Sequence, residues 1–256
     1  MSTLRKLYRR TLSNESRYWL YKLRHPRQFE HLKTRVNEHP KGNFSLRGFA
    51  EREAIFVHIT KSAGTSVALS LFGELPYHYT AWHYRVIFGR KDFERFFKFT
   101  FVRNPWDRLY SAYQYLKNGG WDEKDKAWAQ THWSHIQSFD QFVLEWLTPE
   151  RLSSHLHLRP QSYFLKDSRG QLLIDYLGYF EHIAEDFAVI AQRVNPSATL
   201  AHTNASKRGD YREVYSPETI QKVGDLYRED VESFGYGFDS LNRQEVINGK
   251  LVAARG

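Results

Sequence analysis

The chain has 256 residues, of which 41% are hydrophobic and 16% aromatic; it has no cysteine and a formal net charge of +8. That length supports one α/β domain with an ample core, and the missing thiols exclude disulfides, thiolate chemistry and cysteine-held metals. No apolar run approaches the ~20 residues of a membrane span, and the first ten residues lack the apolar core of a secretory signal, so a cytoplasmic location is expected. The positive charge, read as distributed along the chain, suits an anionic ligand better than nucleic acid.

Residues 1–48 are basic and aromatic, with Leu4, Leu7, Tyr8, Leu12, Tyr18, Trp19, Tyr21 and Leu23 in partly helical order and Pro26 and Pro40 as interruptions. They are expected to form a helical extension packed on the domain edge. A basic amphipathic surface for peripheral membrane contact is the second reading. The loop-like His39–Asn43 marks the boundary before a main domain at 49–240.

Ala54 to Ile59 reads as a buried strand, and from Thr65 onward Val67, Ala68, Leu71 and Phe72 fall at helical spacing. A strand that enters a helix through Lys61, Ser62, Ala63, Gly64, Thr65 and Ser66 is a candidate phosphate cradle. Helix-start amides face the anion, Gly64 permits close approach and Lys61 adds a cation. The nucleotide-triphosphate pattern G-x-x-x-x-G-K-[ST] does not fit, because here Lys61 precedes Gly64.

A second strand, Lys98 to Val102, runs into Arg103-Asn104-Pro105-Trp106-Asp107-Arg108-Leu109-Tyr110-Ser111-Ala112-Tyr113. Asn104 suits the N-cap, Pro105 the first helical position and Asp107 the first turn. Trp106, Leu109, Tyr110 and Tyr113 form a core stripe. Arg103 at the strand tip and Ser111, roughly 9 Å along the helix axis at about 1.5 Å per residue, are able to converge on one anionic group.

Together, F-x-H-x-x-K-x-x-G-T-S (56–66) and V-R-N-P-x-x-R-x-x-S-A-Y (102–113) resemble the 5'-phosphosulfate and 3'-phosphate motifs of sulfotransferases that use 3'-phosphoadenosine 5'-phosphosulfate (PAPS), the glycan O-sulfotransferases above all. The resemblance covers about 54–236. It implies an α/β domain with a mainly parallel sheet flanked by helices, P-loop-like; because Golgi members of the family would be expected to carry a membrane anchor and none is seen here, a cytoplasmic, bacterial enzyme is expected. It further implies that Lys61 and the amides of 62–66 hold the phosphosulfate and that Arg103 and Ser111 hold the 3'-phosphate. The implied reaction moves a sulfuryl group to a carbohydrate hydroxyl, releases the bisphosphate PAP and needs no metal.

His78, in H-x-T-A, resembles the position of the family's catalytic base; His83 is the second candidate or an acceptor contact. His58 is expected to be structural. Trp121 and Trp128 lie in a segment whose position suggests acceptor contact or packing. His157 and Gln161, in H-x-x-P-Q, are expected to touch the acceptor. Ser206, Lys207 and Arg208 resemble the family's loop over the nucleotide. Ser216-Pro217-Glu218 opens a helix, and 241–256 read as a polar tail. Two other classes fit less well: an ATP- and magnesium-dependent kinase, and a non-catalytic polyanion-binding module.

Overall fold

Each strand of the central sheet stops where a loop read as anion-binding, or a residue that braces one, begins. The computed structural model describes residues 12–36, 44–201 and 209–254. Helices α1 (Asn14–Arg24), α2 (Pro26–Thr34) and α3 (Arg47–Glu51) lead into β1 (Ala54–Phe56). Helices α4 (Gly64–Phe72) and α5 (Ala81–Arg95) cross to β2 (Phe97–Val102). Next come α6 (Pro105–Lys117), α7 (Glu123–Trp133), α8 (Phe139–Gln141) and α9 (Ser162–Leu165), and then β3 (Tyr176–Tyr179). The chain finishes with α10 (Ile183–Val194), α11 (Pro217–Leu226), α12 (Arg228–Phe234) and two short strands, β4 (Gln244–Ile247) and β5 (Lys250–Ala253).

The sheet has the order β1-β2-β3 and is parallel throughout, with Ala54 opposite Phe97 and Phe99 opposite Tyr176. The expected α/β fold, a parallel sheet flanked by helices, is therefore present. β2, Phe-Lys-Phe-Thr-Phe-Val, is buried at every position, as a parallel strand covered on both faces must be. Its one cation, Lys98, sits 2.8 Å from the Asp175 carboxylate and donates to the Phe96 carbonyl at 2.7 Å, which offsets the cost of burying its charge.

Helix starts follow from local chemistry. The Asn104 side chain accepts from the amides of Trp106 and Asp107 with Pro105 at the first position, and Ser216 caps α11 ahead of Pro217. Ser138 caps α8, which continues as a π-helical segment, Phe142–Trp146. In the N-terminal region α2 buries Phe29 and Leu32, and Lys33 donates to the Ile87 carbonyl at 2.8 Å. Helix α1 buries none of its residues and leaves Trp19 and Leu23 exposed. The expected boundary at 39–43 lies outside the described residues.

Two expectations need correcting. The positive charge is not spread evenly: residues 1–36 hold ten lysines and arginines against two glutamates, and the rest of the chain has 27 of each sign. Nor is 241–256 simply a polar tail. Gln244–Ile247 and Lys250–Ala253 form an antiparallel hairpin, turning through Asn248 (φ 51°) and Gly249 (φ 71°). Two successive left-handed residues make a turn that suits the twist of a two-stranded ribbon. The hairpin is tied to the sheet by the Gln244 amide, which donates to the Tyr179 hydroxyl at 2.8 Å.

Candidate active site

The loop after β1 departs from ordinary backbone geometry. Lys61 (φ 66°) and Ala63 (φ 58°) are both left-handed without being glycine, a conformation costing roughly 1–2 kcal/mol per residue. Ala63 is the N-cap of α4 and has no side chain that can cap it. The first amides of α4 and the positive end of its dipole therefore meet the loop, the arrangement that receives anions. Gly64 has a second reason to be glycine: a Cβ there would stand 1.8 Å from the His58 imidazole, so it makes room for the buried His58 beneath the loop. Burial, and then the neighbouring His78, holds the His58 pKa well below its usual value and keeps the ring neutral.

The two predicted phosphate segments meet. Arg103 donates from Nη1 to the Lys61 carbonyl at 3.0 Å and from Nε to Asp107 at 2.6 Å, and its guanidinium lies 4.1 Å from the Phe180 ring centroid. Gln161 clamps the junction. Its side-chain oxygen accepts from the Arg103 amide at 2.9 Å and from the Ser62 hydroxyl at 3.5 Å, while its Nε2 donates to the Arg103 carbonyl at 2.8 Å. Fully buried and with its amide spent in this way, Gln161 is a brace, which corrects the expectation of acceptor contact. Its own backbone amide and that of Ser162 donate to the buried Asp230 carboxylate at 2.6 and 2.8 Å. Arg108, also fully buried, donates to the carbonyls of Thr60, His157 and Arg159 and so ties the loop base to the segment that carries Gln161. From the third strand end, Glu181 accepts from the Asn104 amide at 2.7 Å.

On the other side of the loop lie the histidines. His78 Nδ1 is 3.0 Å from the His58 carbonyl, which only accepts; Nδ1 therefore carries the proton and Nε2 a lone pair. Burial lowers the His78 pKa and the nearby Lys61 ammonium adds to the effect, so the ring is neutral near pH 7. His83 is engaged differently. Its Nδ1 lies 2.7 Å from the Thr80 hydroxyl and accepts from the Thr80 amide at 3.4 Å, closing a capping box at the start of α5. That placement makes His83 a helix-capping residue. His157 stands 6.4 Å from His78 and 4.6 Å from Tyr115, centroid to centroid.

Lys61 Nζ sits over the Tyr115 ring, 4.1 Å from its centroid. Burial and the adjacent Arg103 lower the Lys61 pKa to about 8, with Asp125 acting in the opposite direction. Ser111 is buried on α6, and the Trp121 side chain is 71% exposed while Trp128 packs against Trp133 and Trp146. The proposed contacts Ser206, Lys207 and Arg208 lie outside the described residues. Among the described residues no group of three or more His, Asp or Glu side chains is placed to hold a metal ion, and no helix is long and apolar enough to cross a membrane.

Four residues at this site were not anticipated: Arg108, Asp230, Tyr115 and Asp125. Arg108 belongs to the recognised motif, but it lies on the opposite face of the helix from the Trp106, Leu109, Tyr110 and Tyr113 stripe, so the spacing gave no sign of its burial. The others lack a local pattern that separates them from surface residues.

A family model described as Sulfotransferase family matches residues 81–237, which include Arg103, Arg108, Ser111, Gln161 and Asp230 and begin after the Lys61 loop. An uncharacterized protein of Archaeoglobus fulgidus is 26% identical over 135 residues, spanning 52% of this chain and 98% of that protein. No solved structure matches. With its strand-tip cluster of cations and more than half of its length matched, the chain belongs to the sulfotransferase family.

Proposed function

We propose that the protein transfers a sulfuryl group from PAPS to a hydroxyl of a carbohydrate acceptor, with His78 as general base. The observation that carries the reading is the hydrogen bond from Arg103 to the Lys61 carbonyl, which brings the two motif segments into contact. The residues suit the nucleotide's chemistry: an uncapped helix start and a lysine for the phosphosulfate, and the arginine and serine of the second motif for the 3'-phosphate. When bound, PAPS supplies the sulfuryl group and leaves as PAP. Lys61 and the first amides of α4 bind the phosphosulfate and neutralise charge growing on the oxygen that bridges sulfur and phosphorus. Arg103 and Ser111 bind the 3'-phosphate. His78 Nε2, its lone pair free because Nδ1 donates to the His58 carbonyl, takes the acceptor proton as the new O–S bond forms and the old S–O bond breaks.

The carbohydrate acceptor rests on the motif resemblance and on the exposed Trp121 ring near Asp125, which offers a face for a sugar. Binding titrations with PAP and with ATP plus magnesium test the donor. PAP is expected to bind more tightly, and preference for ATP with magnesium would point to a kinase instead. A screen of glycan acceptors with [35S]PAPS tests the acceptor. His78→Ala should lower turnover by about 10²–10⁴-fold with PAP affinity unchanged within about twofold. Retained turnover would remove His78 from the mechanism. Salt-sensitive polyanion binding without turnover, unaffected by Lys61→Ala, would mark a non-catalytic module.

A further inference from the structure

Tyr115 is near the end of α6, and Asp125 is in the first turn of α7; Gly119 and Gly120 fold one helix back on the other with φ of 94° and 67°. The turn is tight at Gly120, where a Cβ would come within 2.2 Å of the Asp125 side chain. The return brings the Asp125 carboxylate against three donors: the Tyr115 hydroxyl at 2.7 Å, the Trp121 amide at 3.1 Å and His155 Nε2 at 3.3 Å. Neither motif loop contains these residues, yet the face of the Tyr115 ring carries the Lys61 ammonium. Burial and the Asp125 carboxylate push the Tyr115 pKa up, so the phenol keeps its proton and donates it to Asp125.

We infer that Asp125 and Tyr115 form a seat for Lys61, with Asp125 acting through the Tyr115 ring as a positioning residue that keeps the ammonium charged and aimed into the donor loop. This rests on the donor site proposed above. The groups that face Lys61 are Arg103 from the end of β2, Tyr115 from α6, Asp125 from α7, and His78 and His157 from the adjoining loops. Arg103 favours loss of the lysine proton, Asp125 favours its retention, and the histidines are neutral near pH 7. Asp125 also favours the protonated forms of His78 and His155. Its carboxylate is thus the counter-charge shared by the acid and base sides of the cleft.

The test reads Lys61 directly and needs no nucleotide. Competitive labelling of the full-length protein with trace acetic anhydride across pH 6–10, quantified for the Lys61 peptide by mass spectrometry, gives the titration of that amine. In wild type the midpoint is expected at about 8. In Asp125→Asn, which keeps the shape and removes the charge, it should fall by about half a pH unit or more, a roughly threefold smaller charged fraction above the midpoint. Tyr115→Phe retains the ring but frees it from Asp125 and should move the midpoint the same way by less. Coincident curves for wild type and both variants would overturn the proposal. In parallel, PAP affinity should fall in the alkaline range at lower pH in Asp125→Asn than in wild type, with little difference at pH 6.5. If the labelling shifts while wild type fails to bind PAP, the seat stands and the donor reading is the one that fails. If PAP binds and the labelling does not shift, the donor reading survives and the seat is wrong.

Discussion

Burial lowers the pKa of five histidines, His58, His78, His83, His155 and His157. A lowered folded-state pKa means that below about 6.5 the unfolded chain binds protons that the folded chain refuses, so their contribution to stability is complete above that pH and lost as pH falls. For the fully enclosed His58 the slope reaches about 1.4 kcal/mol per pH unit. The melting temperature should therefore drop between pH 7 and pH 5, and His58→Phe should flatten the drop; equal melting temperatures at the two pH values in wild type would show that these rings charge freely in the folded protein. At this scale the sequence was legible only in part. Lys61, Arg103 and His78 stand in motifs whose spacing is itself a signal. Asp125 lies among Asp122, Glu123, Lys124 and Lys126 and looks like any solvated helix start until the Gly119–Gly120 turn aims it inward.

The strand–loop–helix unit from Ala54 to Phe72 shows how much an element can conceal behind a correct outline. Its order was readable because an apolar run, a polar loop and a helical repeat succeed one another. The reason for Gly64 was not readable, since it depends on where His58 folds. Gly64→Ala should lose about 1–3 kcal/mol by overpacking, measured by urea denaturation, and His58→Ala on the same chain should recover much of that loss. Additive losses would mean that the two side chains do not compete for the same space. The C-terminal hairpin is the converse case: Ile247-Asn248-Gly249-Lys250 holds a strong short-range turn signal, but the polar residues around it obscure strands that have one weakly buried face.

Across the whole molecule, three parallel strands deliver the loop base, the arginine and the supporting Glu181 to one edge, and the helices between them are spacers with their own apolar faces. With 27 charges of each sign beyond residue 36, that body is electrically balanced, so under the proposed donor reading the nucleotide would be held by donors at close range rather than by net charge. PAP should accordingly bind at least about a hundredfold more tightly than 5'-AMP or 3'-AMP, as expected when two contacts are joined in one ligand. Calorimetric titration of the three measures this, and parity between PAP and 5'-AMP would leave the Arg103 end without a role. Gln161 adds a further consequence. One buried amide pins the strand tip that offers Arg103 to the loop that offers Lys61, like callipers locked at a single opening; under the proposed donor reading, analogues of PAP longer or shorter by one bond between their two phosphates should bind more weakly than PAP itself.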